Sequence, residues 1–462
     1  MQQKEIVYER IYNDFLIRLC EGEFPKGSSI PSLTDLCLYY NVGKNTILKV
    51  LQMLKENKFI TTLPGKVGQV LFDNQNLNQY LMDLPGFVCD KAVLLDYYYA
   101  IRVLFPSIYT YASLACKEEQ LKKVKVLVES FQNDVNSSDD YIHLSIHMFS
   151  ELLSFIDNQL IKKIVEITMR KTILPGALLC GHQILYKELM LQSSRTMGIL
   201  YEALENKDEA LLNDCWKKIL TLYPTIFEKA LDLGIFPDNA SKKEINIFQE
   251  MDTDKCFILA SMFRRKILSG SYAPGDLLPS ISEAKKMFKV STITIRKAYQ
   301  ILSEMGFVQT INGRGTEVIA YLGQKPSKPL QQVALTKKSG YLESLVFLEI
   351  TCPVLVAESS HISFPDLRYD LNSPWNPDYQ YSIATIFYHL FKGMNSNAIL
   401  SIYYVNSNQL YWGTYLPDVP ANNKLKKDNH QQCLKVIDKL EQGNHIEASS
   451  MLLSLLKTLY PA

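Results

Sequence analysis

The sequence predicts a mostly α-helical chain in which one unit is used twice: a small domain of three helices and a two-stranded hairpin, followed by a helical domain. Three observations predict this. Residues 17–72 align with residues 265–320 at a constant offset of 248, with 15 identities and no gap to disturb a turn. Apolar residues recur at helical spacing through 94–131 and 144–171, "LLDYYYAIRVLFPSIYTYASLACKEEQLKKVKVLVESF" and "LSIHMFSELLSFIDNQLIKKIVEITMRK". The two halves also end alike, "KDEALLNDCWKKILTLYP" at 207–224 against "NHIEASSMLLSLLKTLYP" at 444–461.

The elements of the small domain follow in order. A first helix over about 4–20 carries Val7, Ile11, Phe15 and Leu19 on one face, and its counterpart covers about 255–268. Gly22 and Gly270 stop it. Pro31-Ser32 and Pro279-Ser280 introduce a short second helix, serine being a good N-cap. Val42-Gly43 and Val290-Ser291 occupy a tight turn before a third helix over about 44–57 and 292–305. Its buried stripe reads Ile47, Val50, Leu51, Leu54 in one copy and Ile295, Ala298, Tyr299, Leu302 in the other, the i, i+3, i+4, i+7 pattern. "FITTLPGKVGQVLF" and "FVQTINGRGTEVIA" then give two short strands around a glycine-bearing tip. Three helices and a hairpin in this order make a winged helix-turn-helix.

The expected domains are winged helix-turn-helix 1 (1–75), helical domain 1 (76–235), a polar linker (236–252), winged helix-turn-helix 2 (253–322) and a diverged helical domain 2 (323–462). At 462 residues the chain is long enough for several cores, and 47% apolar with 21% charged residues is the composition of a globular protein. Its net charge of +1 says nothing about a polyanionic partner, so any such signal is local. Nine scattered cysteines without CxxC spacing fit reduced thiols. "MQQKEIVYER" is too charged for a signal peptide and no apolar run is of membrane-spanning length, so a cytoplasmic protein without a membrane partner is expected.

"SGSYAPGDLLPSISEAKKMFKVSTITIRKAYQILSEMGFVQTINGRGTEVI" matches almost throughout the pattern of the DNA-binding domain of the GntR family of bacterial transcription regulators, and the first copy matches it more loosely. The resemblance implies that the third helix enters the major groove while the wing meets the DNA backbone. The family's arginine, threonine and second arginine at the start of that helix fall on Lys44, Thr46 and Leu48 in copy one, and on Thr292, Thr294 and Arg296 in copy two. Candidate DNA-contacting residues are therefore Lys44, Asn45, Thr46, Lys49, Gly65 and Lys66, with Ser291, Thr292, Thr294, Arg296, Lys297, Gly313 and Arg314. Residues 264–300 hold eight Lys/Arg against two acids, whereas 1–72 hold nine against seven, which favours the second copy as the stronger binder.

"AIRVLFPSIYTYASLACKEEQL" resembles the start of the all-helical effector domain of the FadR branch, which implies a small-molecule effector. Candidate effector residues are Arg102, Tyr109, His143, His147 and His182. Aromatic walls suit a ligand cavity but equally pack helices together, and Arg102 either holds an anion or pairs with an acid such as Asp96. His143 and His147, at i, i+4, have a spacing that can chelate a metal. The later metal-ligating positions of that branch fall near Met197 and Ile219, which are not ligands, so neither metal nor cofactor is expected. No Gly-rich phosphate loop or nucleophile–base set points to an enzyme. The expected partner is double-stranded DNA with asymmetric half-sites, bound by a monomeric pseudo-dimer or by a homodimer. The alternative is a protein-interaction scaffold whose winged helices no longer bind DNA.

Overall fold

The structure is a computed structural model, and it describes residues 8, 11–12, 15, 18–19, 24–40, 42–61, 68–72, 91–133, 138–179, 183–232, 255–319, 328–372, 379–416 and 423–460. By packing, the chain divides into two compact units, Met1–Asp157 with Val165–Glu244, and Asn158–Ile164 with Ile245–Ala462.

In the first unit, helical residues Tyr8, Ile11, Tyr12, Phe15 and Leu19 share a buried core with residues of α1 (Leu33–Tyr40), α2 (Lys44–Glu56) and the hairpin β1 (Ile60–Thr61) to β2 (Gln69–Val70). Of the expected stripe on α2, Ile47, Val50 and Leu54 are buried and Leu51 is half-buried. The strands pair antiparallel, Ile60 with Val70 and Thr61 with Gln69. Among the described residues six helices follow: α3 (Lys91–Leu114), α4 (Glu118–Asn133), α5 (Ser138–Ser154), α6 (Gln159–Leu179), α7 (Gln183–Glu205) and α8 (Glu209–Asp232). α3 packs on α5 and α8, α8 on α7, and α4 on α5 and α7. The centre of this domain is aromatic. Trp216, Tyr109 and Phe149 pack at tilted angles with ring centroids 5.0 to 6.0 Å apart, and the Trp216 indole N–H donates to the Ser113 hydroxyl at 3.0 Å.

The second unit repeats the small domain as α9 (Lys255–Leu268), α10 (Ile281–Phe288), α11 (Thr292–Glu304), β3 (Val308–Ile311) and β4 (Gly315–Val318). The duplication extends to individual backbone hydrogen bonds. Gly27 N–H donates to Val70 C=O and Gly275 N–H to Val318 C=O, both at 2.8 Å. Ile30 N–H reaches Gly68 C=O at 2.9 Å, and Leu278 N–H reaches Thr316 C=O at 2.8 Å. These bonds add a third, single-bridge strand to each wing, Ser29 against Gln69 and Leu277 against Glu317, where the sequence predicts two strands only. The extra edge is missed because a one-bridge strand has no alternating pattern to read.

Gly27 and Gly275 sit at φ +84° and +94°, where a Cβ is strained even in open space. Gly275→Ala is expected to cost about 1–2 kcal/mol, read as a lower Tm of the second unit. At the turn after the third helix, Gly306 has φ +78°, but its counterpart Lys58 holds φ +60° with a side chain. Lys58→Gly is therefore expected to leave the first domain's stability unchanged or raise it by up to ~1 kcal/mol, in the same melting experiment.

The second helical domain comprises α12 (Lys328–Thr336), α13 (Lys338–Glu358), α14 (Phe364–Leu371), α15 (Tyr379–Gly393), α16 (Asn397–Leu410), a 3₁₀ turn (Tyr411–Tyr415), α17 (Asn423–Glu441) and α18 (His445–Lys457). The stretch 366–382, rich in turn residues and aromatics, covers most of α14 and the start of α15, with 373–378 outside the described residues. α3 and α13 each carry a proline inside the helix, Pro106 and Pro353. By length and apolar composition α13 meets the test for a membrane span, contrary to the expectation that no run does. Its buried face, which includes Tyr341, Leu345, Leu348, Cys352 and Leu355, packs on α16 and α18, so it is apolar as the central helix of a bundle. All six described cysteines are free, and burial pushes the Cys352 and Cys433 thiols up to about 12.

Within the second unit α9 packs against α16, which ties the winged domain to its helical domain. Arg264, 2% exposed, lies over the rings of Phe307 and Tyr411, with its guanidinium carbon 4.6 Å from the Tyr411 centroid. Arg265 pairs with buried Asp370 at 3.4 Å, and Asp370 also bonds buried His389 at 2.9 Å. Burial lowers the His389 pKa from its ordinary value; the Asp370 bond opposes this, and the positive charges of Arg265 and Lys392 add to it. Tyr388 meets the imidazole edge-on. The unfolded chain therefore takes up this proton more readily than the folded one. The stability His389 contributes is present above pH ~6.5 and is lost as pH falls below it. Thermal melts from pH 7.5 down to 5 are expected to fall more steeply for the wild type than for His389→Gln; parallel curves count against this.

Candidate DNA-binding interface

The third helix of the second winged domain is held firmly from behind. Ile295, Ala298, Tyr299 and Leu302 are buried, and the Tyr299 hydroxyl donates to Pro279 C=O at 2.6 Å. Phe263 on α9 meets Tyr299 edge-on at 5.5 Å and Phe288 at 5.6 Å. Burial raises the Tyr299 pKa, so its phenol stays a donor. The Ser291 hydroxyl accepts from Thr294 N–H at 3.1 Å and caps the helix start. Ahead of it, α10 begins with a capping box in which the Ser280 hydroxyl accepts from Glu283 N–H and the Glu283 carboxylate accepts from Ser280 N–H.

Opposite the buried stripe, α11 exposes Ile293, Arg296, Lys297 and Gln300, again at i, i+3, i+4, i+7. Among the described residues no hydrogen bond or ion pair ties Arg296 or Lys297 to the protein, whereas the Gln300 amide is spent on Glu304 at 2.9 Å. Lys285 and Lys286 on α10 and Lys289 in the following turn are also exposed, Lys289 at φ +50°. In the wing, Ile311 pairs with Gly315 and leaves a tip of Asn312, Gly313 and Arg314. Gly313 at φ +78° allows that turn; Arg314 is exposed and 3.4 Å from Glu317. An exposed cationic helix face flanked by further lysines and a cationic wing is the footprint of a polyanion-binding surface.

The expected residues divide on inspection. Thr292 is half-buried, and Arg296, Lys297, Gly313 and Arg314 face outward. Thr294 turns inward, and its hydroxyl lies 2.8 Å from that of Ser291. Those two hydroxyls form the cap, so Arg296 and Lys297 are the long cationic side chains on the exposed face of the helix. Lys285, Lys286 and Lys289 enter the sequence reading only inside a charge count, because nothing in the spacing separates groove-facing lysines from solvated ones.

The first winged domain keeps the scaffold with different chemistry on this face. Its α2 is capped by Gly43 without a side-chain bond; Lys44 and Asn45 are exposed and Thr46 is half-buried. The Lys49 ammonium lies 4.3 Å from the centroid of the Tyr8 ring. At the positions of Lys286, Met287 and Arg296 this domain has Leu38, Tyr39 and Leu48, exposed at 75%, 65% and 50%. Gly65 and Lys66 lie outside the described residues.

Residues 7–68 and 259–318 each match the family described as "Bacterial regulatory proteins, gntR family". The chain carries two GntR-family domains. The match agrees with the internal repeat and with the two winged helix-turn-helix folds. Among curated proteins, the fatty acid metabolism regulator protein of Vibrio parahaemolyticus is 29% identical over 133 residues, 26% of this chain and 45% of that protein. The HTH-type transcriptional repressor YtrA of Bacillus subtilis is 32% identical over 79 residues, 17% of this chain and 58% of that protein. The chain thus spans about half the length of these curated relatives. A solved Streptococcus agalactiae GntR structure aligns at 17% identity over 47% of this chain and 99% of that one, with a TM-score of 0.25, too low to carry an argument.

Outside the two winged domains, the effector candidates among the described residues do not converge. Arg102 faces solvent with its guanidinium carbon 5.4 Å from the centroid of the Tyr99 ring, whereas Tyr109 lies in the interior of the first helical domain. The Tyr109 hydroxyl has no hydrogen-bond partner among the described residues, and burial pushes its pKa far up. His147 is exposed on α5. The side chain of His143, and His182 altogether, lie outside the described residues. Among the described residues no three His, Cys, Asp or Glu side chains group as a metal site.

Proposed function

We propose that this chain is a sequence-specific DNA-binding transcription regulator of the cytoplasm, with two GntR heads acting as a pseudo-dimer within one polypeptide. The observation that carries the reading is the outward stripe of Arg296 and Lys297 on α11, flanked by Lys285, Lys286 and Arg314. Regulators with this fold use two recognition helices on half-sites about one DNA turn apart, and a fused pair supplies both from one chain. Because the heads differ at Leu48 and Arg296, their half-sites are unequal. Small-molecule control through the helical domains is part of the proposal, and the buried Tyr109 hydroxyl supports a polar ligand in the first of them.

Selection of duplexes from a random pool by the full chain tests this. Two unequal half-sites at a fixed spacing are expected; no enrichment overturns the reading. The exposed Leu38, Tyr39 and Leu48 favour a second reading for the first head alone, as a protein-docking surface. A single enriched half-site that survives Leu48→Ala is its signature.

A further inference from the structure

Between the second GntR head and its helical domain lies a cavity of about 290 Å³, at the small end of the ~300–1,000 Å³ typical of small-molecule sites. The head contributes Arg265 and Lys266, and the helical domain contributes Asp366, Asp370 and Lys392. Asp370 is already shared between Arg265 and His389. Three cations against two carboxylates leave an excess of one positive charge. Hydroxyls of Ser269, Ser271, Tyr369, Tyr388 and Tyr404 complete a wall on which Met262 is the one aliphatic side chain. Such a lining, polar with aromatic faces, disfavours a long aliphatic tail, because its polar groups would lose hydration without a partner. It suits a compact oxyanion on a hydroxylated body.

We propose that this cavity binds a small hydroxylated anion, a carboxylate or a phosphate ester, with Lys266 and Lys392 clasping the charged end from opposite domains. The consequence for DNA rests on the regulatory reading above; the binding itself does not. The site adjoins the helix that supports the recognition helix: Arg265 lies two residues after Phe263, whose ring meets Tyr299 of α11. An anion held by both domains favours the one head orientation that it can bridge, which shifts the DNA-binding equilibrium by its differential affinity. The first half has Ile17 where the second has Arg265, so the site belongs to the second half.

The test is calorimetric titration of the full chain at constant ionic strength with D-glycerate, sn-glycerol 3-phosphate, and glycerol as the uncharged control. Binding by one or both anions, with glycerol silent, is expected, and the two anion arms tell carboxylate from phosphate ester. Lys266→Ala and Lys392→Ala, both exposed positions whose loss leaves the cores intact, should each weaken binding about 10-fold, the factor for one charge-assisted hydrogen bond. Silence from both anions, or binding that neither variant changes, overturns the proposal. Repeating the DNA selection without anion separates the two readings. Enriched DNA without anion binding removes the cavity site alone, and anion binding without enriched DNA removes the regulatory reading alone.

Discussion

Arg296→Ala is expected to weaken binding to the duplexes selected by the wild type about 5- to 150-fold, the range of ~1–3 kcal/mol for one arginine-to-base contact. Its side chain projects from the exposed face of α11, and the stripe that holds the helix in place, Ile295, Ala298, Tyr299 and Leu302, points the other way. The variant should therefore melt like the wild type while its affinity falls, and its loss should be largest at one base position. Lys285→Ala and Lys286→Ala on α10 should act differently. Each is expected to weaken all sequences alike and to reduce the slope of log affinity against log salt by about 1. The reciprocal change is Leu48→Arg, which restores a cation to the first head where the second has Arg296. It should raise affinity and lengthen the protected DNA if the first head already lies against DNA. Unchanged affinity in both Arg296→Ala and Leu48→Arg would rule out reading by the third helices.

Trp216→Ala is expected to cost about 3–5 kcal/mol in the first unit. The indole is fully buried against Tyr109 and Phe149, and its N–H bond to Ser113 ties α8 to α3. Truncation removes the ring and also leaves a buried hydroxyl without its donor, and the two losses add. Urea unfolding followed by far-UV circular dichroism should show a separate early transition, with that of the second unit unchanged. A loss below ~1 kcal/mol would mean that the domain collapses around the gap. Trp216→Phe keeps most of the packing and should recover more than half of the loss.

Much of this protein is legible in its sequence, because a duplication compares the chain with itself. The offset of 248 fixed the turns, the cap at Ser280, and the buried stripes of both third helices, since turn chemistry and helical periodicity are local properties, whereas Ser291, read as a DNA contact, proved to be a cap. Helical periodicity likewise found α3 to α6 of the first helical domain. What it could not separate was charge by destination. Of the eight cations in 264–300, Arg264 is sunk among aromatic rings, Arg265 is engaged with Asp370 and Lys266 lines the cavity, whereas Lys285, Lys286, Lys289, Arg296 and Lys297 face outward. A count weighs them equally, and only the packing of α9 against α16 divides them. Thr294 is a similar case, because a threonine at the start of a reading helix looks the same whether its hydroxyl meets DNA or Ser291. The effector candidates Arg102 and Tyr109 shared a helix in sequence but point to solvent and to core. His389, unremarkable by spacing, gains its surroundings from Asp370 on the preceding helix and from Arg265, which lies far from it along the chain. The sequence alone determined the duplicated architecture and the exposed third helix of each winged domain, because those rest on contacts between near neighbours. The tertiary structure alone decided which cations face outward and where the head meets a ligand-sized cavity, because both depend on surfaces brought together from segments about a hundred residues apart.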